Sequence, residues 1–183
     1  PSITPVNFAT MLTGASPASH GITNREQPLT LETIFHVLRG EGMHSATAAR
    51  TLSSLGILIS PHADRPGIAA SNTDDEVTRI AIRALEGEAS LLWVQLLDVD
   101  DAGHAHGPLS REGRDAASRA DSNLGKILGS AHHEGYSAIV LADHGQHAVK
   151  NEGRVQGTHG TDMPEDVSVP LAWANNDELG DIG

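Results

Sequence analysis

The apolar positions of this chain fall either at helical spacing or in short continuous runs. Leu31, Ile34, Phe35 and Leu38 recur every three or four residues and predict a helix from Leu31 to Gly40, with Thr30 as its cap. Val6 to Leu12, just after Pro5, predicts a shorter helix that ends at Gly14. In Asp74 to Glu86 the stripe is Val77, Ile80, Ala81, Ala84 and Leu85, and the acidic residues sit at the N-terminus, where a helix dipole favours them. Ser110 to Glu134 predicts a long helix with Ala117, Ala120, Leu124, Ile127 and Ala131 facing inward. Between these lie strand signals. Met43 to Ala49 and Leu55 to Ser60 predict short strands, and Ser90 to Asp98 is apolar enough to be covered on both faces. Ala138 to Ala142 and Val167 to Ala174 predict two further buried strands, while Pro61 to Thr73 reads as a surface excursion. The alternation predicts an α/β fold, a mostly parallel central sheet with helices on both faces.

With 183 residues the chain can bury one sizeable core, so residues 1–183 read as a single soluble domain. A net charge of -12 argues against nucleic acid or an anionic membrane surface as partner. There is no cysteine, hence no disulfide, thiolate ligand or thiol nucleophile. No apolar run is long enough to span a bilayer, and no signal-peptide pattern is present. The chain opens on Pro1 directly into a motif and stops in the loop-like Leu179 to Gly183, which reads as a fold cut at both ends.

Three clusters carry the chemistry: Asp100 to His104 (D-x-x-G-H), Asp143-His144-Gly145, and Gly157-Thr158-His159-Gly160. Each sets a carboxylate or imidazole beside a glycine, where the backbone can turn or a ligand approach closely. Asp100, His104, Asp143, His144 and His159 form a donor set that suits zinc best, with manganese or iron also compatible. Two clusters follow predicted strands, and ligands in open α/β sheets gather beyond the carboxyl ends of strands. Adjacent strands lie roughly 5 Å apart, close enough for a dinuclear site with ions about 4 Å apart.

With these blocks in view, the chain resembles the alkaline phosphatase superfamily, in its type I phosphodiesterase/nucleotide pyrophosphatase branch. The run Thr4-Pro5-Val6-Asn7 through Thr13-Gly14 looks like that branch's nucleophile segment, and Ser16 to Ile22 matches its continuation. The three clusters then follow in the branch's order. The resemblance implies an alkaline phosphatase-like fold and hydrolysis of a small phosphoric ester, a diester or nucleotide pyrophosphate ahead of a monoester. It further implies two divalent ions, Thr4 as nucleophile, and Asn7 on the phosphoryl oxygens. Asp100, His104 and His159 would hold one ion, and Asp143 and His144 the other. A further Asp of the second site would lie upstream of the nucleophile, and nothing precedes Pro1 in this chain. Activity would proceed by attack of Thr4, a covalent phosphothreonine, and its hydrolysis.

Other readings of the same residues stay open. Within the superfamily these are a phosphomonoesterase or phosphonate hydrolase; outside enzymes, an inactive metal-binding fragment. Thr4 is also a good helix cap. Ser2 is a weaker nucleophile, lacking an Asn three residues on. Asp98 and Asp101 compete with Asp100, and only the D-x-x-G-H register separates them. His106 and His147 are either supporting groups or solvated loop histidines, and His20 has a structural turn role as its alternative. Asp162 and Glu165 are candidates to orient His159. Phe8, beside Thr4, is the aromatic best placed to stack on a base, with core packing as its alternative.

Overall fold

A computed structural model describes residues 2–180. By internal contacts the chain divides into two compact units. One runs from Thr4 to Gln95; the other comprises Leu96 onward together with Ser2 and Ile3.

The first unit orders α1 (Thr4–Thr13), α2 (Pro17–His20), α3 (Ile34–Gly40), β1 (Ser45–Arg50), β2 (Arg65–Ala69), α4 (Asp74–Leu85) and β3 (Leu91–Val94). Its sheet is parallel, in the order β2-β1-β3. Central β1 is buried at every position although its sequence is Ser-Ala-Thr-Ala-Ala-Arg, so its polar side chains need partners. They have them: Ser45 donates to Asp64 Oδ2 (2.9 Å), Thr47 to Ser60 Oγ (2.7 Å) and Arg50 to Asp74 Oδ1 (2.6 Å). Helix α4 packs on β1 and β2, admitted by Gly67, where a Cβ would run into Ile80 and the Thr47 carbonyl. Phe8, Leu12, Phe35, Leu55 and Ile59 anchor the hydrophobic cluster. Phe8 packs on Trp93, ring centroids 5.4 Å apart, and is a core residue.

Several elements depart from the sequence pattern for identifiable reasons. Leu55–Ile59 is a π-helical turn rather than a strand. Its apolar residues at i, i+3 and i+4 are the buried ones, and Ser53 Oγ accepts the Gly56 N–H at its start. Helix α3 begins three residues later than expected because Thr33, not Thr30, forms a reciprocal capping box with His36. The excursion Pro61 to Thr73 contains β2, which tolerates Pro66 as an edge strand. The long apolar run stops being strand at Val94, and β3 is half-buried.

The second unit orders α5 (Asp98–His106), α6 (Arg111–His133), β4 (Ala138–Leu141), β5 (His147–Asn151), β6 (Arg154–Thr158), α7 (Pro164–Val167), β7 (Leu171–Ala174) and α8 (Asn176–Leu179). Ser110 caps α6, and the buried stripe is Gly113, Ala116, Asn123, Ile127 and Ala131, offset from the predicted one in its first half. β4 and β7 pair antiparallel, with Ile139 opposite Trp173 and Leu141 opposite Leu171. These four side chains are exposed, so the pair is not the doubly covered one that its apolar sequence predicts. β5 and β6 form a hairpin that hydrophobic alternation does not announce. Its two-residue loop, Glu152-Gly153, has positive φ at both positions (49° and 81°), the geometry of a tight hairpin turn.

Candidate metal centre

Helix α5 and the β5–β6 hairpin assemble the donor groups. The acidic first turn of α5 puts Asp100 four residues before His104 on one helix face, so this cluster is helical rather than a loop beyond a strand. In the hairpin, His147 pairs with Thr158. That register draws the Asp143-His144-Gly145 segment, just before β5, to the Thr158-His159-Gly160 segment at the end of β6.

Asp100, His144 and His159 converge, one ligand atom from each lying within 4.8 Å of the others. The imidazoles of His144 and His159 stack with centroids 3.7 Å apart, and that of His104 lies 5.1 Å from His159. His104 Nε2 faces Asp100 Oδ2 at 3.5 Å, and His144 Nε2 faces Asp143 Oδ2 at the same distance. All five predicted ligands are therefore neighbours in one cluster, with Asp100, His144 and His159 at its centre. Thr4 and Asn7 belong to the other unit, where Thr4 opens α1 and Asn7 follows within its first turn.

The hydrogen bonds on the far side of each ring fix its tautomer. His104 Nδ1 donates to the Gly157 carbonyl (2.9 Å), His144 Nδ1 to the Gly145 carbonyl (3.0 Å) and His159 Nδ1 to the Ser2 carbonyl (2.7 Å). A carbonyl can only accept, so each Nδ1 carries a proton and, in the neutral ring, Nε2 is the nitrogen left to coordinate. Metal-binding histidines are held in this way, and the donor set fits a borderline divalent ion. His144 has only 5% of its side chain exposed, whereas Asp100 and His104 remain open to ligand at 28% and 42%.

The glycines of the motifs mostly serve close approach. A Cβ at Gly103 would strike the Gln146 side chain, one at Gly157 would lie 2.5 Å from Gln146 Oε1, and one at Gly145 would strike the Glu165 carbonyl. Only Gly160, at φ +102°, needs glycine for its backbone angle.

Three supporting residues escaped the sequence pattern in different ways. Ser2, weighed as a nucleophile, is buried; its hydroxyl donates to the Thr161 carbonyl (2.7 Å) and accepts the Gly160 N–H (2.9 Å). Asp166, rather than Asp162 or Glu165, organises the loop after His159. Its Oδ2 accepts the Thr161 N–H and hydroxyl, its Oδ1 accepts His147 Nδ1 at 2.8 Å, and its carbonyl accepts the Gly145 N–H. Burial pushes the Asp166 carboxyl up, but the bonds from His147 and Thr161 outweigh it and hold the pKa at about 2. Gln146 donates to Asp100 Oδ1 at 2.5 Å and to the Asp100 carbonyl at 3.1 Å. Nothing in the spacing of Asp166 marks it, but the position of Gln146 next to Asp143-His144-Gly145 was a usable signal. His20 takes its structural alternative, accepting the Ile22 N–H and bonding Thr10, and His106 is exposed.

Known proteins place the chain in a family. The sequence profile of the type I phosphodiesterase/nucleotide pyrophosphatase family matches residues 33–176, a span that contains all five candidate ligands and excludes Thr4 and Asn7. No curated protein matches the chain. Among solved structures, murine ectonucleotide pyrophosphatase/phosphodiesterase 5 is similar at 17% identity and TM-score 0.63, over 82% of this chain and 48% of that one. Phosphonoacetate hydrolase from Sinorhizobium meliloti is similar at 20% identity and TM-score 0.58, over 83% of this chain and 47% of that one. The C-terminal periplasmic domain of the phosphoethanolamine transferase EptC from Campylobacter jejuni follows at 12% identity and TM-score 0.68, over 97% and 65%. The chain thus spans between about half and two thirds of the length of these structures. At such identities the likeness establishes an alkaline phosphatase-like α/β fold, and the profile match establishes descent. The chain belongs to the type I phosphodiesterase/nucleotide pyrophosphatase family.

Proposed function

We propose that the chain carries the hydrolytic site of a metal-dependent phosphoric ester hydrolase acting on a phosphodiester or nucleotide pyrophosphate. The observation that carries this reading is the shared tautomer of His104, His144 and His159. Each Nδ1 is tied to a main-chain carbonyl, and the Nε2 atoms of His104 and His144 lie 3.5 Å from the carboxylates of Asp100 and Asp143. Asp100, His104 and His159 would hold one divalent ion, Asp143 and His144 a second, and zinc fits their nitrogen and oxygen donors best. Bound there, such ions supply Lewis acidity to the attacking and leaving oxygens of an in-line displacement.

The chain's own residues do the rest. Thr4 Oγ loses its proton and bonds to phosphorus as the P–O bond to the leaving group breaks, and the leaving alcohol or phosphate oxygen takes up a proton. Water then attacks phosphorus, its proton restores the Thr4 hydroxyl, and the phosphate product leaves. The Asn7 amide donates to the equatorial oxygens as charge builds on them. Support for Thr4 comes from its motif.

The test combines metal analysis with turnover of bis-para-nitrophenyl phosphate, before and after chelation. Bound metal and chelator-sensitive turnover are expected, with Thr4→Ala abolishing turnover and leaving metal content unchanged. Full activity in Thr4→Ala would remove the nucleophile assignment. Bound metal without turnover would leave a metal-binding fragment.

A further inference from the structure

We infer that Gln146 is a positioning residue that fixes Asp100 as a one-oxygen metal ligand and thereby biases the centre towards zinc over larger ions. The inference rests on the reading of Asp100 as a ligand. The Gln146 amide occupies a slot built for it: Nε2 reaches both the Asp100 carbonyl (3.1 Å) and Asp100 Oδ1 (2.5 Å). Oε1 fills the space that a Cβ at Gly103 or Gly157 would take. The three sequence clusters thus meet around one side chain, and a Cβ at either of two of their glycines would press on it.

The consequence for Asp100 is chemical. With Oδ1 and the main-chain carbonyl both held by the Gln146 amide, the carboxylate is fixed in one orientation that presents Oδ2, the oxygen that lies 3.5 Å from His104 Nε2. A single carboxylate oxygen among imidazole nitrogens suits a small, four-coordinate zinc ion. Ions that prefer more oxygens, such as manganese or calcium, are disfavoured when the carboxylate cannot turn to offer both. Removing the amide would free the carboxylate to rotate.

Zinc and manganese affinities of the wild-type chain and its variants, measured by competition calorimetry, test this, with circular dichroism to check the fold. In Gln146→Met, which keeps the bulk and removes the donor, zinc affinity is expected to fall about tenfold or more. Manganese affinity should change far less, so the zinc-to-manganese ratio collapses; a merely structural role would weaken both equally. Gly103→Ala carries the same test should Gln146→Met fold poorly, because its methyl displaces the amide while helix α5 gains a better helix former. The double variant should then be no worse than either single one. An unchanged ratio in both single variants, with Asp100→Asn still losing metal, overturns the role of Gln146 alone. A wild-type chain that binds neither ion, or an Asp100→Asn variant that binds as wild type, overturns the ligand reading and this inference with it.

Discussion

The main-chain carbonyl of Ser2 accepts the Nδ1–H of His159 at 2.7 Å, across 157 positions of sequence. The Ser2 hydroxyl fastens the same loop through Gly160 and Thr161. Ser2→Ala keeps the carbonyl and removes the hydroxyl, leaving the Gly160 N–H and the Thr161 carbonyl without that partner. A loss of about 1 kcal/mol in urea unfolding is expected, with zinc affinity weakened by about tenfold in metal titration.

Acid stability should report Asp166 and Asp64. Asp64 is held at about 2 by the Ser45 backbone N–H and the Arg39 guanidinium, and Asp166 is held at about 2 by His147 and Thr161 against its burial. Unfolded, an Asp titrates near 3.9. A carboxyl whose pKa is depressed on folding binds protons more tightly when unfolded, so both stabilise the fold fully above about pH 4 and lose that effect towards pH 2. Urea midpoints measured across this window should fall steeply in wild type. The slope should flatten in Asp166→Asn and flatten further when Asp64→Asn is added.

Glycine substitutions should separate close approach from mere helix content. Gly145→Ala drives a methyl into the Glu165 carbonyl, a backbone atom that cannot swing away, and should cost about 1–3 kcal/mol. Gly125→Ala and Gly129→Ala on α6 meet nothing within 4 Å and should each stabilise by about 0.5–1 kcal/mol. Thermal denaturation of the three variants gives the comparison.

The Arg50–Asp74 pair, 2.6 Å apart with side chains 3% and 1% exposed, holds the end of β1 to the start of α4. Asp74→Ala strands a buried guanidinium and should cost about 3–5 kcal/mol in urea unfolding. Pairing Arg50→Met with Asp74→Leu removes both charges and should recover most of the loss.

The sequence pattern revealed α4, α6 and the candidate ligands because each rests on local regularity: apolar spacing, caps, or a donor beside a glycine. It was silent where distant groups decide. The π-helical turn at Leu55–Ile59 looked like a strand because a short apolar run has no period of its own. The β5–β6 hairpin, which unites two of the clusters, was hidden by its polar strands and a Glu-Gly turn. Asp166 and Gln146 reach His147 and Asp100, 19 and 46 positions away, and sequence spacing does not show those contacts. His159 was legible as a candidate ligand, whereas the Ser2 carbonyl that holds it is a main-chain atom common to every residue type.

That last feature extends to His104 and His144, whose acceptors are the carbonyls of Gly157 and Gly145. Every residue type offers the same carbonyl, so the acceptors depend on the path of the main chain, and at Gly145 and Gly157 that path leaves no room for a Cβ. Their placement depends also on the count of residues between them. The centre is therefore fragile to insertion or deletion: one residue added between Gly145 and Gly157 would misaim imidazoles that no replacement had touched.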